Sequence, residues 1–392
     1  MVNRLKILVR SYYQERHAAR ELSYYKKRFV DAGLSMPNKD NLAEAIKTRL
    51  RQRKIYPRAK KQGDLNIFIT CSMNNWEVVL PKALSLFGNV NVFSWQSTEF
   101  FKCRQHWAKW QNDLNEQMLK KFAKIHTEAP VDILIGYLSD FNTKVETLAT
   151  IGGKGVIMLN MNWDDKLYFS GSLRGQPRSV AGIVPFFDLN LTNAPESCIK
   201  YFTQGALAKF WPEAADPEFH HPYNEPYEYD ISFIGQCYGS RPYFVNKLRS
   251  HGIKVSCFGK GWRNGTLTNE EMIKIYSRSR INLGFAGVGY SDKLMCLKGR
   301  DFEIPMSGGL YLTQDNPELA LVYEVGKEIL TYKNEQDCLA KIKWLIAHPE
   351  DAEKIRQAGY KRALTEHTWE KRFSDIFKLL GILNDFAESD NA

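Results

Sequence analysis

Short, continuously apolar runs alternate with amphipathic segments along most of this 392-residue chain, and one proline-rich stretch interrupts them. Before the interruption, DLNIFIT (residues 64–70), NVNVFSW (89–95), VDILIGY (131–137), GKGVIMLNM (153–161) and FFDLNLTN (186–193) read as strands. Helical patterns lie between them: WEVVLPKALSLFG despite Pro81, a Trp- and Lys-rich stretch over residues 101–126, and residues 143–150. Strands apolar on both faces and separated by helices imply a parallel sheet covered on both sides. Pro212, Pro217, Pro222 and Pro226 then exclude regular helix or central strand over residues 211–228. Beyond them the alternation resumes with YDISFIG, IKVSCFG, INLGF, GLYLT and EILTY as strands. Thr268, three residues before Glu271, has the form of a capping box, and helices are expected over 335–347, 349–364 and the closing WEKRFSDIFKLLGIL.

The expected architecture is therefore α/β, with two doubly wound, Rossmann-like domains facing a cleft. The divisions are a helical extension at 1–62, a first domain at 63–210, a linker at 211–228, a second domain at 229–370, and a C-terminal helix and tail at 371–392. Charge separates the extension from the rest. Residues 1–62 hold 17 Lys/Arg against 5 Asp/Glu, a balance of +12, whereas the whole chain carries +10 and the remainder about −2. The basic arm reads as a solvated helix used for packing or dimerisation, with attraction to an anionic membrane surface or to nucleic acid as the alternative. No apolar run is long enough to cross a bilayer, and the first residues lack a signal peptide's pattern. A cytoplasmic protein is expected, with peripheral contact at the inner membrane face as a second option. The seven scattered cysteines form neither CxxC pairs nor Cys/His clusters, which supports neither a disulfide framework nor a zinc site.

In doubly wound sheets, ligands sit beyond the carboxyl ends of the strands. Four loops of the second domain follow strands and carry suitable chemistry. GQCYGSR, from Gly235 to Arg241, joins strand to helix and offers either an anion site with Arg241 or a tight turn with a surface arginine. GKGWRNG, from Gly259, offers a slot for a nucleobase against Trp262, or a turn in which Trp262 only packs. GFAGVGYSD is a small-residue loop that lets a phosphate or sugar come close. In KGRDFEIPMSGGLYLTQ, Lys298 and Arg300 are cations and Glu303 lies three residues beyond Arg300, on the same side of a helix. That set suits a nucleoside diphosphate, with cations for phosphates and a carboxylate for ribose hydroxyls. An Arg300–Glu303 ion pair serving only packing is the competing reading.

ISFIGQCYGSR, CFGKGW, EEMIKIYSRSRINLGF, KGRDFEIPMSGGLYLT, GKEILTY and AGYKRALTEHTWEKRF, in this order, resemble the spore-maturation (CgeB-type) branch of GT-B glycosyltransferases. The resemblance covers residues from about 230 to 377, extends more thinly upstream, and leaves residues 1–62 outside it. It implies a GT-B fold and sugar transfer from a nucleotide-sugar donor held mainly by the C-terminal domain. By the same resemblance, Glu303 matches the carboxylate that holds the ribose. Arg241, Lys298 and Arg300 become candidates for the diphosphate, and Gly235, Gly259 and Trp262 candidates for cofactor-like binding of the nucleotide. GT-B enzymes generally stabilise the leaving diphosphate with such cations instead of a metal, so no metal and no cofactor beyond the donor substrate is expected. Related retaining enzymes carry a second glutamate eight residues before the ribose carboxylate. Met295 stands there, which leaves the stereochemical outcome open. Asp164 and Asp165, after the fourth strand, are candidates for a general base in the acceptor domain, or for capping of the next segment. The expected acceptor is a glycan, in polysaccharide biosynthesis, or a lipid-linked molecule. Alternatives are transfer to modified DNA bases, suggested by the basic arm, and a non-catalytic nucleotide-sugar-binding protein, suggested by Met295.

Overall fold

The computed structural model describes residues 2–71, 76–94, 106–173, 176–177 and 179–384. The start of the expected Trp- and Lys-rich helix, Cys103, part of the loop after the first strand and the tail from residue 385 lie outside the described residues. Contacts divide the chain into two units, one of residues 19–211 with 372–392 and one of residues 1–18 with 212–371.

In the first of these units, β1 (Leu65–Thr70), β2 (Gly88–Phe93), β3 (Ile133–Gly136), β4 (Ile157–Asn162), β7 (Leu189–Thr192) and β8 (Ala208–Phe210) form one sheet. Its order is β2-β1-β3-β4-β7-β8 and every pairing is parallel. A two-residue hairpin, β5 (Ser172–Leu173) with β6 (Gln176–Pro177), stands apart. β1, β3, β4 and β7 are buried along their whole length, with Asn66, Asn160, Asn162 and Asn190 enclosed among their apolar residues. The helix Trp107–Glu128 covers one face, because Trp110, Leu114, Met118 and Phe122 recur every four residues and form a single stripe. Phe122 meets Phe68 of β1 edge to face at 5.6 Å. β8 was not expected. It is three residues long and carries Lys209, too short and too polar to stand out before the prolines.

In the second unit, β9 (Tyr229–Ile234), β10 (Val255–Phe258), β11 (Ser279–Leu283), β12 (Tyr311–Gln314) and β13 (Leu330–Tyr332) form a parallel sheet of order β10-β9-β11-β12-β13. The chain leaves β9 toward one edge and returns to β11 on the other side. This reversal opens a crevice between the carboxyl ends of β9 and β11. Helices follow, as expected, at Arg241–Ser250, Asn269–Ser277, Glu335–Ala347 and Pro349–Glu366. The capping box is formed: Glu271 N donates to Thr268 Oγ1 at 3.2 Å and Thr268 N donates to Glu271 Oε2 at 2.7 Å.

The basic arm folds as two helices, Val2–Asp31 and Lys39–Gln52. It is not a body of its own, since residues 1–18 group with one unit and the rest with the other. Arg53 donates to the buried Asp188 carboxylate and to the Gly152 and Val156 carbonyls, at 2.8 and 3.0 Å for the last two. Part of the arm's charge thus holds the amino ends of β4 and β7 in place.

Candidate functional site

β9 and β10 keep pairing past the end of the sheet. Gly235 N donates to Phe258 O at 2.9 Å, and Cys237 N donates to Lys260 O at 2.9 Å. Gly259 has φ +118°, and a Cβ there would fall 2.4 Å from the Gly235 carbonyl oxygen. Only glycine permits this approach. Trp262 completes the junction: its indole N–H donates to Gly235 O at 2.9 Å and its ring packs edge-on to Phe233 at 6.1 Å. Gly235, Gly259 and Trp262 therefore shape the turn that presents the following loop.

That loop ends at Arg241, the first residue of its helix, which is only 8% exposed. The guanidinium lies over Tyr238 at 4.3 Å, Phe233 at 5.6 Å and Phe285 at 5.8 Å, and donates to Gln236 O at 3.1 Å. Burial, and then the neighbouring Arg300, bring its pKa down to about 10, which still leaves it charged at neutral pH. Arg300 shares the same aromatic floor, 5.9 Å over Phe233, and donates to Phe285 O at 3.3 Å. Its Nε is buried and has no hydrogen-bond partner among the described residues. Burial alone lowers its pKa, but Tyr311, Tyr276, Asp301 and Glu303 reverse the direction and the net shift is upward. Among the described residues, neither arginine forms an ion pair within 4 Å, and the expected alternative of an Arg300–Glu303 pair is not formed.

Glu303 lies on the short helix Arg300–Met306 and is half-buried. Its carboxylate folds back over Gly299, where a Cβ would come within 2.9 Å of Oε1. Burial, with a contribution from Asp301 and opposed by Arg300, raises its pKa to about 7. Among the described residues this carboxylate accepts no hydrogen bond. Lys298 is half-buried; its ammonium lies 2.9 Å from Cys296 Sγ and its backbone N–H donates to Asp301 Oδ2 at 2.8 Å. Asp301 was not expected in the site. It is buried, accepts from the Tyr311 hydroxyl at 2.7 Å, and fixes the turn that delivers Arg300 and Glu303.

The third glycine-rich loop is held from an unforeseen direction. Gln14 Oε1 of the first helix accepts from Tyr290 N at 2.7 Å, Glu15 Oε1 accepts from the Ser291 hydroxyl at 2.7 Å, and Arg10 donates to the Tyr290 hydroxyl at 2.9 Å. At Gly289, φ +60°, a Cβ would stand 2.7 Å from the Gln14 amide. Asp292 in turn accepts from Ser240 at 2.5 Å, joining this loop to the one that carries Arg241. No local sequence signal marks Gln14 or Glu15 for this task.

Asp164 and Asp165 belong to the other unit. Asp165 is completely buried, accepts from the Tyr201 hydroxyl at 2.6 Å, and its carbonyl accepts from Lys200 Nζ at 2.8 Å. Burial raises its pKa against the opposing charge of Lys200. An enclosed carboxylate already bonded to its own unit cannot reach an acceptor hydroxyl, so the general-base expectation is corrected for Asp165. Asp164 is half-buried and makes no side-chain capping bond.

Residues 241–378, about a third of the chain, match the glycosyl transferase-like family model. No curated protein matches the chain. Among solved structures, sucrose-phosphate synthase from Thermosynechococcus elongatus superposes with TM-score 0.58 at 11% identity, over 81% of this chain and 98% of that one. Anabaena HepE in complex with UDP and glucose gives 0.54 at 10% identity, over 82% and 100%. An alpha-glucosyltransferase in complex with UDP-glucose and DNA containing an abasic site gives 0.52 at 12% identity, over 81% and 100%. The fold is GT-B. In this fold Arg241 follows β9, and Arg300 and Glu303 lie between β11 and β12. Among the described residues no helix is long and apolar enough to cross a membrane, and no group of three or more His, Cys, Asp or Glu could hold a metal ion.

Proposed function

We propose that this protein is a glycosyltransferase, of the CgeB-type branch, that takes a sugar from a nucleoside diphosphate donor without a divalent metal. One observation carries the reading: two neighbouring guanidiniums, Arg241 and Arg300, share the Phe233 ring as a floor and, among the described residues, have no carboxylate ion-paired to either. Confining two like charges in a poorly hydrated place costs free energy that an anionic ligand would recover. As the sugar–phosphate bond breaks, negative charge grows on the departing diphosphate, and fixed cations already in place stabilise it without reorganisation. Arg241 and Arg300 serve this role with Lys298 beside them. The unengaged Glu303 carboxylate accepts hydrogen bonds from the ribose hydroxyls. Asp164, not Asp165, is the acidic group available for acceptor chemistry in the other unit. The acceptor is a glycan or lipid-linked molecule.

Incubation with a panel of nucleotide sugars, UDP-glucose first, tests the reading by thermal stabilisation and donor hydrolysis. Stabilisation that disappears in Arg241→Ala is expected. No response to any nucleotide or nucleotide sugar overturns it. A second acceptor class, modified bases in DNA, is favoured by the net charge of +12 on residues 1–62 and by the DNA-bound relative. Duplex binding that weakens steeply with salt would support it. Turnover lost in Glu303→Ala with the fold intact would remove the third option, a binding protein without catalysis.

A further inference from the structure

A groove of about 740 Å³ lies in the unit of residues 19–211 and 372–392, between the arm helix Lys39–Gln52 and the end of the chain's last helix. Its floor is apolar, with Leu42, Ile55 and Leu380 buried in it. Five cations line it, Lys39, Lys47, Arg51, Lys209 and Lys378, against two carboxylates, Asp40 and Asp375. Lys209 is the informative one. Its ammonium is half-buried, and among the described residues it makes neither a hydrogen bond nor an ion pair. Burial lowers its pKa, with Asp375 only partly opposing. The groove also stands away from the carboxyl edge of its own sheet. Arg49 of the same helix and Arg53, its C-terminal cap, reach carbonyls and Asp188 that precede β4, β7 and β8, at the amino ends of the strands.

We propose that this groove docks the protein on an anionic bilayer, taking a phospholipid phosphate among the lysines and the first methylenes of its acyl chains on the apolar floor. The two halves of the lining select that occupant together. A free phosphate would need the cations but not the floor, and a nucleic acid backbone likewise offers nothing for Leu42, Ile55 and Leu380. Each Lys or Arg close to an anionic surface adds to the attraction, and the attraction fades within a Debye length as salt rises.

The experiment is co-sedimentation of the full chain with vesicles of phosphatidylglycerol and phosphatidylcholine mixed, against phosphatidylcholine alone, at low and high salt. Binding to the mixed vesicles only, weakened at least tenfold in Lys47→Glu/Lys209→Glu, is expected. The same variant should keep its melting temperature and its donor hydrolysis, because none of these residues stands near Arg241 or Glu303 in sequence or in the sheet that carries them. Inorganic pyrophosphate should not displace the protein from vesicles; if it does so fully, the groove is a free-phosphate site and the proposal falls. It falls equally if the variant sediments like the parent, if salt-sensitive binding is found for duplex DNA but not for vesicles, or if vesicles bind only a chain ending at Asn384. That last result would mean that the groove serves the chain's own acidic end, DFAESDNA. The vesicle result is independent of the glycosyltransferase reading, which donor hydrolysis tests separately.

Discussion

Each unit of this protein buries cations, and the two do so in opposite ways. In the unit that begins at residue 19, the Lys200 ammonium is enclosed and fully answered: Glu21 Oε2 accepts from it at 2.6 Å, the Asp165 carbonyl at 2.8 Å, and the Phe169 ring lies 5.5 Å beneath. In the other unit, Arg241 and Arg300 both stand over the Phe233 ring with carbonyls for partners and, among the described residues, no ion-paired acid. A closed set is architecture, since every charge has its counter-charge in the fold. An open set of like charges, at the topological switch of a parallel sheet, is what the proposed diphosphate donor would close.

Substitution separates the two most sharply where the expected effect is largest. Lys200→Ala leaves Glu21 buried and unpaired and should lower stability by roughly 3–5 kcal/mol, read in urea unfolding. Replacing both partners together, Lys200→Met with Glu21→Leu, should recover most of that loss. Arg241→Ala should do the reverse, reducing turnover about a hundred- to a thousandfold while leaving the unfolding midpoint near the parent's. If Arg241→Ala instead unfolded the protein and the surviving fraction turned over normally, the contrast between closed and open sets would collapse.

The comparison also shows what a sequence can and cannot disclose. Gly235 and Arg241 could be placed from sequence because they stand directly after β9 or a few residues beyond it, and Arg300 and Glu303 because they sit on a short segment just before the apolar β12. The capping box at Thr268 was legible from the spacing to Glu271 alone. Whether Arg300 and Glu303 neutralise each other was not, because composition is identical in both cases and only the fold of the carboxylate over Gly299 decides it. The contacts of Glu21 with Lys200 and of Gln14 with Tyr290 span 179 and 276 residues, a separation at which no periodicity survives. Asp165 misled for a related reason. Its position after β4 suggested an exposed group, while Tyr201, 36 residues on, closes over it.

Glu303 sharpens the open set further through its titration. Its folded-state pKa of about 7 lies above the ordinary value of 4.5, so the folded state holds the proton more tightly. Its contribution to stability is therefore full below the ordinary carboxylate range and lost as pH rises through 7. Donor binding should run the other way, because a ribose hydroxyl needs the ionised acceptor. The dissociation constant for UDP-glucose, which carries no titrating phosphate in this range, should rise by up to ~tenfold between pH 8 and pH 6. Glu303→Gln should bind weakly at both values and lose the slope. A slope unchanged in that variant would assign the titration to another group.

The smallest effect concerns the loop that the first helix holds. Gln14→Ala removes the acceptor for Tyr290 N, a net loss of about 0.5–1.5 kcal/mol for one hydrogen bond. If that bond serves only to pack the helix, the melting temperature should fall and the Michaelis constant for donor should stay where it was. If it positions the loop that Asp292 ties to Ser240, beside Arg241, the Michaelis constant should rise about two- to tenfold with kcat nearly unchanged. Glu15→Ala should behave alike through Ser291, and the pair together should be less than additive, since both act on one rigid turn. A pair that is fully additive in stability and silent in donor affinity would return the first helix to architecture and leave the arginines to hold their ligand alone.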